Sequence, residues 1–173
     1  MEVQLRNVKY AEFASEETLC FEASVCIDGH REGTASNDGR GGATMIWPPS
    51  LGARLNAYAA TLPPFRMPHD HPDKPGMPWD MPRDADMLLA DLLQQWLVRR
   101  DLKRALAKRV VFVTGDGSVR ETRTLTPAAL QAQLARADRH RAFSERILNE
   151  MNFEDALVLF RAYVERNSKG AER

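Results

Sequence analysis

Nowhere in this chain do apolar residues run for anything near the roughly 20 positions that a bilayer-spanning helix needs. Net charge is missing too: 24 Lys and Arg face 24 Asp and Glu across 173 residues. No global field therefore draws nucleic acid or membrane toward the molecule as a whole. Only two cysteines are present, Cys20 and Cys26. On one strand, residues six apart lie roughly 20 Å from each other. A disulfide needs Cα atoms within about 7 Å, so these two cannot pair there. The opening MEVQLRNVKY has no basic stretch followed by an apolar run, which a signal peptide requires. These absences lead us to expect a protein of the reducing cytoplasm with no membrane partner.

Nucleotide-binding signatures are also missing. Residues 34–42, TASNDGRGG, are rich in glycine but contain no Gly-Lys-Ser/Thr, and Gly39, Gly41 and Gly42 do not make G-x-G-x-x-G. The following ATMIWPP does not open a helix, as a phosphate-binding loop would require. The stretch reads as a turn that lets a strand leave its sheet, with Asp38 and Arg40 as candidate recognition residues on it. There is no G-x-S-x-G, and we expect no cofactor.

What is present is a pattern of hairpins and helices. Residues 2–10 suggest a first strand, and AEFASEE a single turn. Over 18–27 the alternation is strong. Leu19, Phe21, Ala23, Val25 and Ile27 share one face; Cys20, Glu22, Ser24, Cys26 and Asp28 share the other, polar one. Asp28-Gly29 is a hairpin turn, and 31–36 returns as a strand. Residues 50–62 fit a helix capped by Ser50. Residues 84–108 fit a longer one capped by Asp84, with Leu88, Leu89, Leu92, Leu93, Trp96, Leu102 and Leu106 as its apolar stripe.

Residues 109–126 read as a second hairpin turning at Gly-Asp-Gly-Ser, and Thr126-Pro127 starts a short helix. Residues 142–149 look helical. Asn152 caps a last helix over 153–166, and the tail NSKGAER should fray. Strands cluster in hairpins instead of alternating singly with helices. The expected fold class is therefore α+β, an antiparallel sheet of two or more hairpins packed with four or five helices in a single domain.

Between the first two helices, residues 63–83 contain seven of the ten prolines. That density excludes helix and central strand, leaving an irregular crossing. Around it lie Trp47, Phe65, Met67, Met77, Trp79 and Met81, either packing the crossing down or forming an adaptable partner surface. His69 and His71 lie within it beside Asp70 and Asp73. Two imidazoles with a carboxylate suit zinc, but a site needs three or four rigidly held ligands, and a solvated loop is the alternative.

The other concentration of chemistry is cationic. Residues 1–80 hold 7 basic and 11 acidic residues, whereas 81–173 hold 17 and 13. Arg99, Arg100, Lys103, Arg104, Lys108 and Arg109 crowd the end of the long helix, where the helix dipole favours cations. Positions 100, 103/104 and 108 share a face able to meet phosphates or an acidic protein.

Residues 7–29, NVKYAEFASEETLCFEASVCIDG, and the SNDGRGG that follows resemble the opening of a group of small proteins encoded by bacteriophages, prophages and plasmids. In that group a similar FASEET-CFEA strand and DG turn lead to a similar NDG-GG loop. The closing ILNEMNFEDALVLFR is similar in style. The resemblance brings no enzymatic activity. It implies a protein made in a bacterial host by a mobile element, and such proteins commonly bind host proteins, defence systems among them. The expectation is a non-catalytic accessory protein that binds a host macromolecule through Asp38, Arg40, Trp79, Arg99, Arg100, Lys103 and Arg104. A nucleic-acid-associated protein using 99–109 with Arg120 and Arg123 is the alternative. A small metal-dependent hydrolase using His69 and His71 is the third reading.

Overall fold

A computed structural model describes residues 1–67, 72–136 and 146–171. The fold is α+β, with antiparallel sheets and four α-helices among the described residues. It divides into two compact units, Met1–Gln94 and Gln95–Arg173.

The first unit is built on strand β1 (Val3–Tyr10), followed by a 3-10 turn at Glu12–Ala14, then β2 (Phe21–Ile27) and β3 (His30–Asn37). Asp28 and Gly29 both take positive φ, 50° and 85°, which a two-residue hairpin between right-twisted strands requires. A three-residue strand β4 (Met45–Trp47) completes a sheet ordered β1-β2-β3-β4, with every pairing antiparallel.

Helix α1 (Pro49–Ala59) buries Leu51, Leu55 and Ala59. Its approach to the sheet needs Gly33: a Cβ there would sit 2.0 Å from the Trp47 carbonyl oxygen and 2.7 Å from Leu51 Cδ2. The helix is not capped by Ser50. Pro48 takes the N-cap position with extended backbone, and Pro49 follows inside the first turn, where its fixed φ suits a helix start.

The polar face expected for β2 is largely buried. Ser24 and Cys26 are 8% and 3% exposed, and only Glu22 of the strand stays in solvent. The reason is position: β2 is an inner strand, and short side chains between β1 and β3 are covered by their longer neighbours. Both cysteines are free.

Within the proline-rich crossing, β5 (Phe65–Arg66) pairs with β6 (Asp80–Met81) in a two-residue ladder. Apart from this ladder, the described residues of the crossing form no helix and no longer strand. Helix α2 (Ala85–Lys108) then begins with Asp84, whose carboxylate accepts the Met87 N–H at 2.8 Å.

In the second unit, β7 (Val111–Val113) and β8 (Val119–Glu121) form the expected hairpin, and α3 (Pro127–Leu134) starts at Thr126, whose hydroxyl accepts the Ala129 N–H. The two hairpins belong to separate sheets, not to one. Of the helix expected over 142–149, residues 142–145 lie outside the described residues, and 146–147 are strand instead. Arg146–Ile147 form β9, which pairs with β7, and Leu148–Glu150 form a 3-10 turn. Helix α4 (Phe153–Ala171) is capped by Asn152, which accepts the Glu154 N–H at 2.9 Å, and it outruns the expected end at 166. Val98, Leu102, Val111, Val113, Val119, Leu148, Ala156 and Leu157 form the core of this unit.

Candidate functional site

The glycine-rich loop is a structural turn. Gly39 carries φ +87° and is buried against Ala14, leaving 2.0 Å between a Cβ and the Ala14 carbonyl oxygen, so only glycine fits. The Gly39 carbonyl accepts the N–H groups of Glu16, Glu17 and Thr18 at 2.9–3.2 Å. Three amides of the loop are spent locally. Gly39 N–H donates to Asn37 Oδ1, Arg40 N–H to Asp38 Oδ1, and Gly41 N–H to Thr18 Oγ1. A phosphate cradle needs such amides turned outward together. Here they point at side-chain oxygens. Asp38 and Arg40 stand exposed on this turn.

Trp79 is half-buried, while Trp47 is 68% and Met77 53% exposed. His69 and His71 lie outside the described residues. Among the described residues, no group of three or more His, Cys, Asp and Glu is placed to hold a metal ion, and no helix is long and apolar enough to cross a membrane.

The cationic helix end divides into two sets. Arg99 donates to both carboxylate oxygens of Glu154, one of them at 3.0 Å, and its guanidinium lies 4.9 Å from the Phe153 ring centroid. That hydrogen bonding holds the Glu154 carboxyl below the usual carboxylate range and pushes Arg99 above its ordinary value. Arg100 is bonded to Asp101 at 2.7 Å and lies over the Trp96 ring, and Arg109 is paired with Glu121. Each of these three arginines thus already has a carboxylate.

Lys103, Arg104 and Lys108 form the other set. They are exposed, and none has a carboxylate partner among the described residues. Their spacing places them on one side of α2, opposite the buried Val98 and Leu102. Together with Arg100 and Arg109 they line an open groove of about 990 Å³. Its apolar lining comes from Ala105, Ala107 and Phe160, and Asp101 and Glu121 also border it. Phe160 was readable in the sequence only as one apolar position of the last helix. Nothing local marked it as groove-lining, because that depends on where α4 meets α2.

The electrostatics follow from these pairings. The paired arginines present little net field, whereas three cations within six residues, unpaired among the described residues, attract an anion. Arg120 and Arg123, exposed on and just after β8, add to the basic surface of this unit. A second cleft, of about 300 Å³, lies beside the glycine-rich loop between Phe21, Met87 and Leu93. Of its polar groups, Thr18 and Asn37 bond each other, and Asp86 takes the Thr44 N–H.

No family model matches the chain, and neither a curated protein nor a solved structure matches it.

Proposed function

We propose that this is a non-catalytic binding protein of a phage or other mobile element, acting in the bacterial cytoplasm, which seats a host macromolecule in the groove beside the C-terminal half of α2. One observation carries the reading: Lys103, Arg104 and Lys108 are exposed on one side of the helix, at a groove of about 990 Å³, with no acid of the described chain to neutralise them. The resemblance of residues 7–42 to phage and plasmid proteins supports the host side of it. The test is capture from nuclease-treated bacterial lysate by the full chain and by K103E/R104E/K108E. The wild type should retain a partner that the reversed variant loses at least tenfold. A captured protein retained equally by both would overturn the groove as the site.

A second reading has its own observation. Arg120 and Arg123 lie exposed in the same unit and extend the basic surface beyond the groove. A phosphate backbone would be held this way. It requires a shift of DNA or RNA at about 50 mM salt that weakens steeply as salt rises. No shift at that salt removes it.

A further inference from the structure

The groove is not uniformly basic. Asp101 and Glu121 line it and remain there as the partners of Arg100 and Arg109. The unneutralised charge is confined to Lys103, Arg104 and Lys108, about 7.5 Å of helix axis at a rise of 1.5 Å per residue. Duplex nucleic acid carries one negative charge per about 1.7 Å along its length. Laid along this groove, such a backbone would find only three cations not already paired within the described chain. Besides Thr124, the rest of the lining is apolar: Ala107 is exposed, and Ala105 and Phe160 are half-buried. A nucleic-acid backbone has no use for that surface. A peptide with its own apolar stripe does, because the stripe removes these side chains from water while its flanking acids reach the lysines and arginine.

Resting on the groove reading above, we infer that the occupant is an acidic amphipathic segment of a partner protein. Its apolar side chains lie on Ala105, Ala107 and Phe160. Its carboxylates meet Lys103, Arg104 and Lys108. The Arg100–Asp101 and Arg109–Glu121 pairs add no net charge, so the free positive charge is short and matches a partner carrying a few acids beside apolar side chains.

The test uses the full chain and four fluorescent probes. These are a helix-forming peptide of about 16 residues with a Leu/Phe stripe flanked by Glu, the same peptide with the stripe replaced by Gln and Ser, a single-stranded oligonucleotide and a duplex. The striped peptide should bind at least tenfold tighter than the stripeless one and tighter than either oligonucleotide. K103E/R104E should weaken it at least tenfold. A107Q changes no charge but fills the apolar lining, and should weaken the striped peptide several-fold while leaving oligonucleotide binding unchanged. Ala107 is exposed, so that variant keeps the fold, which circular dichroism verifies.

Equal binding of the two peptides, tighter binding of an oligonucleotide, or no binding of the striped peptide overturns the inference. Lysate capture separates this failure from that of the underlying reading. If capture still depends on Lys103, Arg104 and Lys108, the groove stands and only its occupant was misassigned. If capture ignores them, both fall.

Discussion

Arg99 closes on Glu154, 55 residues further along the chain, donating to both carboxylate oxygens from above the ring of Phe153. The side chains are 50% and 63% exposed, which limits what the pair contributes. Glu154→Gln should lower stability only slightly, as for other solvent-exposed ion pairs. Urea denaturation of both single variants and the double variant measures the coupling, and a large coupling would show a stronger lock than the geometry supports. Because Arg99 is engaged within the unit, Arg99→Ala should reduce partner capture less than Lys103→Ala does.

Asn149 ties the end of α2 to the second sheet. Its carboxamide accepts the Val111 N–H at 2.8 Å and donates to the carbonyls of Leu106 and Arg109 at 3.1 and 2.9 Å. Helix C-termini leave carbonyls without intrahelical partners, and this side chain satisfies two groups there. Asn149→Leu strands all three partners and should cost about 1–3 kcal/mol by denaturant titration. A neutral substitution would mean that water replaces the amide without penalty.

Gly33 tests the seating of α1. Gly33→Ala places a methyl group against the Trp47 carbonyl and the buried Leu51. Overpacking of this kind costs about 1–3 kcal/mol. An unchanged melting temperature would show that α1 shifts freely.

Asp116 gives the second hairpin a pH dependence. Hydrogen bonds from the Thr114 hydroxyl, the Ser118 N–H and the Ser118 hydroxyl lower its pKa from 3.8 to about 2. The folded value lies below the unfolded one, so the contribution is complete above pH 3.8 and is lost as pH falls through about 2. Thermal melts between these limits should show wild-type stability falling with pH, and Asp116→Asn should flatten that part of the decline. Parallel profiles for the two proteins would refute the assignment.

Local chemistry explains what could be read in the sequence. Asp84, Thr126 and Asn152 act through bonds to residues within three positions, and Asp28-Gly29 through its own positive φ, so their caps and hairpin are as expected. Cys26 is 3% exposed and lies in register between Gln4 and Arg31 of the flanking strands, and period-two alternation carries no information about such neighbours. Arg146–Ile147 is too short for periodicity to distinguish strand from helix, and its pairing partner lies some 35 residues earlier. The same limit hid the site. The run of cations was plain, but which of them are neutralised depends on Glu121 and Glu154, placed by elements remote in sequence.

The sheet of the first unit ends at β4, three residues long and followed at once by Pro48 and Pro49. Two successive residues without an amide hydrogen cannot prolong the strand, so this edge of the sheet is held to three residues. The exposed indole of Trp47 and the Met45 side chain therefore stand on a short border, which offers an incoming strand few backbone groups to pair with.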